Sequence, residues 1–133
     1  MREITEIIIH CSDTRDGADF RANDIDRWHK QKGWICIGYH YVIDLSGFIE
    51  LGRDESLVGA HCTGHNRHSI GICYIGGQDK KGRHADTRTK EQKQALKFLL
   101  DYLKLKYPKA TIHGHHEFNS SKACPCFDVS EYR

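Results

Sequence analysis

The chain has 133 residues, a length that suits one compact domain, residues 1–133, and leaves little room for a second module. With 29% charged residues, 38% hydrophobic residues and a formal net charge of +2, its composition is that of an ordinary soluble globular protein. No basic block of the kind that tracks nucleic acid is present, so no nucleic-acid partner is expected. The opening "MREITEIIIHCSD" has no long apolar run ahead of a small-residue cleavage site. Neither a secretory leader nor a membrane span is expected, and the chain is expected in the cytoplasm as synthesised.

In chain order, Ile4 to His10 reads as a buried strand, because "IIIH" is β-branched and is followed by the turn-prone "CSDTRDGAD". An amphipathic helix is predicted from about Ala22 to Gln31, where Ile25, Trp28, His29 and Lys32 recur at helical spacing before a Gly33 stop. "YHYVIDLSGFIELG" alternates about the turn Leu45-Ser46-Gly47 and predicts a β-hairpin. The loop "GAHCTGHNRHS" leads into "IGICYIGG", an apolar run that suits a central strand. Thr89 and Gln92 then form a capping box, followed by Ala95, Phe98, Leu99, Tyr102 and Leu103 at three- and four-residue intervals. This second helix must end before Pro108, and "ATIHGHH" predicts a last short strand. Strands interleaved with helices indicate an α/β domain: a central mixed β-sheet flanked by helices.

Six cysteines and ten histidines are many for so short a chain. The cysteines lack the spacing of a secreted scaffold, and in a reducing compartment they are expected as free thiols. Three potential metal ligands stand at element ends: His10 after the first strand, His115 after the last, and Cys124 in "KACPCFD". Imidazole nitrogen and thiolate sulfur both suit zinc, and three protein ligands leave a position open for catalysis. The nine-residue step from His115 to Cys124 matches no finger or ribbon pattern. Residue types alone therefore leave two readings open: a metal centre, or satisfied histidines beside a small buried thiol. His40 reads as a surface residue or as support for a ligand, and His29, His65, His68, His84 and His113 as structural or exposed.

Five segments together resemble the zinc N-acetylmuramoyl-L-alanine amidases of the phage-lysozyme type, the family that also includes the peptidoglycan recognition proteins. They are "IIIHCSDT" from Ile7, "DIDRWHKQKGW" from Asp24, "IGYHYVID" from Ile37, "GAHCTGHNRHSIGICYIGG" from Gly59 and "GHHEFNSSKACPCFD" from Gly114. The resemblance runs nearly end to end and keeps the family's order.

It implies hydrolysis of the amide between N-acetylmuramic acid and L-alanine in peptidoglycan, with Zn²⁺ as cofactor held by His10, His115 and Cys124. It further implies catalytic roles for Tyr39 and Lys122 and a substrate-groove role for His61. His116 stays open as an alternative to His115, because the loop to the cysteine is a residue longer than in phage relatives; His115 is preferred since it directly follows Gly114. Family members that only bind peptidoglycan typically lack the thiolate, so Cys124 favours catalysis. The other readings are a non-catalytic muropeptide- or partner-binding module, separable by zinc content and wall lysis, and a cytosolic muropeptide-recycling amidase. A phage-type lysin is expected to work as a monomer without stable membrane insertion, and to reach the wall after release with the help of a holin.

Overall fold

A computed structural model describes residues 2–133. The chain runs β1 (Glu6–Cys11), β2 (Thr14–Arg15), α1 (Ala22–Gln31), β3 (Tyr41–Ile43), β4 (Ile49–Leu51), β5 (Ser69–Tyr74), β6 (Gly77–Gln78), α2 (Lys90–Lys106) and β7 (Thr111–Gly114). Five strands form one sheet in the order β4-β3-β5-β1-β7. β1 pairs in parallel with β5 and β7, β3 pairs in parallel with β5, and β4 closes the edge antiparallel to β3. The mixed α/β sheet read from the sequence is thus present. A short parallel pair, β2 and β6, extends from it and was not anticipated.

Strand side chains alternate between faces, and the alternation sorts this sheet cleanly. Ile7, Ile9, Ile70, Ile72, Tyr74, Tyr41 and Ile43 face α2, meeting Leu96, Leu99, Leu100 and Leu103 in the main core. Val42 and Cys73 face the other way, against Ala22 and Ile25 of α1 and Ile37. Because both faces are covered, the strands read as apolar runs instead of alternating with polar residues. His10 lies in the opposite phase to Ile9, and so projects on the α1 side.

Both helices have local causes. At α2, Thr89 Oγ1 accepts from the Gln92 amide at 3.0 Å and Gln92 Oε1 accepts from the Thr89 amide at 2.9 Å. This is the capping box expected from the sequence, and it satisfies two otherwise orphaned donors. α1 starts with the Asp24 carboxylate accepting from the Arg21 amide at 2.8 Å, and it stops at Gly33, whose φ of +92° suits glycine. The buried face of α2 differs from the predicted stripe. Phe98 and Tyr102 are 67% and 48% exposed, while Leu96 and Leu100 take the core. An apolar stripe read at three- and four-residue steps admits two neighbouring arcs, and the sheet selects the one centred on Leu96, Leu99 and Leu103.

The predicted hairpin is shorter than its sequence pattern. Asp44 Oδ1 accepts from the Ser46 and Phe48 amides at 2.9 and 3.0 Å and ends β3 at Ile43. At its other end the strand begins at Tyr41, so Tyr39 and His40 precede it instead of alternating within it. The last strand likewise ends at Gly114, and residues 115–117 turn as a single 3₁₀ turn. All six cysteines are free thiols. No helix among the described residues is long and apolar enough to cross a membrane.

Candidate active site

His10, the next-to-last residue of β1, lies on the α1 side of the sheet. Its ring is almost fully buried at 1% exposure. Its Nδ1 lies 3.2 Å from Nδ1 of His115, which the turn after β7 brings alongside. The Sγ of Cys124 completes a group whose three potential ligand atoms all lie within 4.8 Å of one another. The Cys11 amide donates to that sulfur at 3.1 Å, which holds the loop bearing Cys124 against the end of β1. His116 is engaged elsewhere: its amide and its Nδ1–H both donate to the Cys124 carbonyl, at 2.8 and 3.1 Å, and close the base of the loop. Of the two adjacent histidines, His115 therefore joins the group.

Electrostatics favour a ligand-ready state. Burial, then the neighbouring His61 and His115, holds the His10 imidazole well below its ordinary value of 6.5. Burial and then the Lys122 charge lower His115 in the same direction. Both rings are neutral near pH 7, the protonation state that a metal requires. The spacing of the two imidazoles suits zinc as well: nitrogens bound at tetrahedral angles to one zinc stand about 3.3 Å apart, close to the 3.2 Å between His10 and His115.

His115 also lines a cleft of about 500 Å³ together with Tyr39, His61, Lys122, Trp34 and Phe118. The cleft brings together every residue that the sequence reading linked to catalysis or substrate. The Tyr39 ring lies 5.1 Å from that of His10. Burial, then the thiols of Cys73, Cys124 and Cys11, holds its phenol well above the ordinary value of 10, so it is an O–H donor and not a phenolate. Lys122 is exposed on the rim. A larger hollow of about 830 Å³ lies between α2 and the edge strand β7. It contains none of these groups, so chemistry and not size assigns the site.

Four residues support the site through partners that the sequence does not reveal, among them His29, read as structural or exposed, and His40, read as a surface residue or as support for a ligand. His29 is buried, and its Nδ1 accepts from the Gly38 amide at 2.9 Å. His40 is buried as well and is not a surface residue; its Nδ1 accepts from the Gly71 amide at 3.0 Å and its Nε2–H donates to the Leu57 carbonyl at 2.8 Å. Asn66 Oδ1 accepts from the His61 and Cys62 amides at 3.0 and 2.9 Å, and Ser69 Oγ lies 3.1 Å from His61 Nε2. The available signal was a cluster of polar residues beside glycines in "GAHCTGHNRHSIG", which does not reveal which partner each would find.

The fold recurs in solved amidases and peptidoglycan recognition proteins. The amidase LysC from Clostridium intestinale superposes with a TM-score of 0.84 at 30% identity, covering 98% of this chain and 83% of that one. Wild-type Drosophila PGRP-LB superposes at 0.79 with 26% identity, covering 94% and 76%. A point mutant of PGRP-LB, solved in complex with tracheal cytotoxin, superposes equally well at 0.79 with 25% identity and the same coverage.

The sequence matches the N-acetylmuramoyl-L-alanine amidase family over residues 1–127, and the chain belongs to that family. It is 43% identical to the endolysin of Escherichia phage T7 over 98% of its own length and 87% of the relative's. The endolysin of Klebsiella phage KP32 is 41% identical, with 98% and 86% covered. The chain is a peptidoglycan amidase, an enzyme whose substrate is peptidoglycan or its muropeptides.

Proposed function

We propose that this amidase is zinc-dependent and that His10, His115 and Cys124 hold the ion, the whole of 1–133 forming one catalytic domain. The observation that carries the reading is the gathering of two neutral imidazoles and a thiol within 4.8 Å at a cleft that also presents Tyr39 and Lys122. When bound in such an open site, Zn²⁺ supplies a Lewis acid and lowers the pKa of water toward about 7.

The chain's own residues would do the rest. The muropeptide lies along the cleft with the lactyl carbonyl of muramic acid turned toward His115, and His61 contributes one wall. Negative charge develops on that carbonyl oxygen as the amide is attacked. Lys122 stabilises it as a point charge at the rim, where partial exclusion of water strengthens the interaction. Tyr39, held as a neutral phenol, hydrogen-bonds the attacking water or the oxyanion and relays the proton that the water loses to the nitrogen of L-alanine as the C–N bond breaks; a group so far above neutral pH is a better donor than base. The leaving amine is that of L-alanine.

The relatives are named endolysins, which supports action on the wall after release; that the protein works as a monomer and that a holin opens the membrane for it are further parts of this proposal. The reading is tested by mass spectrometry of the products from a defined muropeptide, alongside metal analysis of the purified protein. A free L-alanine amino terminus and one zinc per chain are expected. Cleavage of a glycosidic or peptide bond, or full activity in a metal-free preparation, would refute the reading.

A further inference from the structure

We propose that His61 is a positioning residue for the metal centre, setting the tautomer and orientation of His10 and not only forming a wall of the substrate cleft. The inference rests on the assignment of His10 as a ligand.

It follows from counting protons on ring nitrogens. A neutral imidazole carries one N–H, and its other nitrogen carries a lone pair. Nδ1 of His10 faces Nδ1 of His115 across 3.2 Å, so it is the nitrogen available to a cation, and the proton of His10 belongs on Nε2. Nε2 lies 2.9 Å from Nδ1 of His61 and donates to it. His61 must then carry its own proton on Nε2, which lies 3.1 Å from Ser69 Oγ, a hydroxyl that can accept. One directed chain results, from His10 through His61 to Ser69, and each tautomer is fixed by the one before it. Both His61 ring nitrogens are thereby occupied, leaving the ring's face and edge for substrate.

The seating of His61 supports a role that depends on exact ring placement. A Cβ at either Gly59 or Gly71 would come within 2.7 Å of the His61 ring, so the absence of a side chain at both positions makes its space. Asn66 holds the backbone from beneath through its bonds to the His61 and Cys62 amides. Ser69 is fully buried in β5, where its own main chain pairs with β1. A ligand imidazole normally donates its second N–H to a carboxylate, carbonyl or water that sets its orientation and raises its basicity. Here a second imidazole takes that place.

The decisive measurement is zinc affinity of the purified full chain, by competition with a chromophoric chelator, with KM for a soluble muropeptide measured at saturating zinc. His61→Ala is expected to weaken zinc binding about 10- to 100-fold. His61→Asn, whose Oδ1 can accept where Nδ1 does, is expected to recover most of that loss. Ser69→Ala, which removes only the far end of the chain, is expected to weaken binding by a smaller factor in a folded protein. Nitrogen NMR of the zinc-loaded wild type should show His10 protonated at Nε2. Unchanged zinc affinity in both His61→Ala and Ser69→Ala, with only KM raised in the former, would overturn the inference and leave His61 as a substrate residue. If the wild type itself bound no zinc, the ligand assignment would fall first, which is a separate outcome.

Discussion

The amide of Cys11 donates to the sulfur of Cys124 across 3.1 Å, joining the end of the first strand to a loop near the far end of the chain. His10, next to the donor, and Cys124, the acceptor, are two of the three proposed ligands, so one hydrogen bond fixes both in register. Replacing Cys124 by Ser keeps an oxygen acceptor for the amide but exchanges a thiolate for a hydroxyl that zinc binds poorly. Loss of an outer-shell partner alone costs about 10- to 100-fold in affinity, and loss of a ligand should cost more. Cys124→Ser is expected to be purified without zinc, to fold with an unchanged far-ultraviolet spectrum and to leave cell walls intact. A strong chelator should reproduce the effect on the wild type, with activity restored by added zinc. A zinc-replete, active serine variant would be incompatible with the ligand set.

Lys122 stands apart from the ligands, on the exposed rim of the cleft. Its proposed contribution belongs to the transition state, when the carbonyl oxygen becomes negative. Lys122→Ala is therefore expected to keep its zinc and lower kcat by about 100- to 1000-fold, the usual cost of one oxyanion donor, while KM changes little. Steady-state kinetics on a soluble muropeptide, paired with metal analysis, separates this outcome from loss of the ion. Equal kcat in variant and wild type would remove the lysine from catalysis.

The metal-free protein should lose stability in mild acid through its buried histidines. His29 illustrates the sign: burial first, then the charges of Lys32 and Arg53, lower it from 6.5 to about 4, while the unfolded chain keeps the ordinary value. Between those limits the unfolded state binds more protons than the folded one. The stability due to the neutral ring is complete above pH 6.5 and erodes as pH falls toward 4, by at most about 3 kcal/mol. Protonation would also cost the bond that His29 Nδ1 accepts from the Gly38 amide. In His29→Asn, Oδ1 can accept that bond without titrating. Urea unfolding at pH 7.5 and pH 4.5 should show a smaller loss for the variant than for the wild type, the remainder coming from His10, His40, His61 and His115, which are lowered in the same direction. Identical losses would show that His29 is not a source of the pH dependence.

How legible each part was in the sequence follows from how local its cause is. The Thr89–Gln92 cap is a four-residue signal and was readable, as was the β-branched run before His10. His10, His115 and Cys124 could be nominated from residue type and position, but their convergence depends on the parallel placement of β1 beside β7, which no single segment encodes. Tyr39, Lys122 and His61 have no local signature at all, and entered only through resemblance. The alternation of His40 with Tyr39 and Tyr41 suggests only a surface or supporting position, because its partners, the Gly71 amide and the Leu57 carbonyl, are distant in sequence. Phe98 and Tyr102 misled in the other direction: large apolar side chains on the outer arc of α2 add to a helical pattern without being buried.

Gln92 shows how a local signal can conceal a tertiary role. In the sequence it is one half of a capping box, worth about 1 kcal/mol. In the fold it is fully buried, and its Nε2 also donates to the Ile75 and Ile43 carbonyls at 2.9 and 3.3 Å. The same amide thus caps α2 and binds it to the ends of β3 and β5. Gln92→Leu would leave the Thr89 amide and the Ile75 carbonyl short of their partners, while the Ile43 carbonyl keeps the Ile75 amide as its donor at 2.9 Å, and each buried polar group so stranded costs about 1–3 kcal/mol. We expect a loss of roughly 2–4 kcal/mol in urea unfolding, well beyond a cap alone. Gln92→Glu should keep the cap through its carboxylate but set a buried carboxylate oxygen against both carbonyls, giving a loss at neutral pH at least as large as that of the leucine variant, which shrinks in acid as the carboxyl protonates and can donate again. A leucine variant destabilised by no more than a lost cap would show that the bonds to Ile43 and Ile75 contribute little to holding α2 against the sheet.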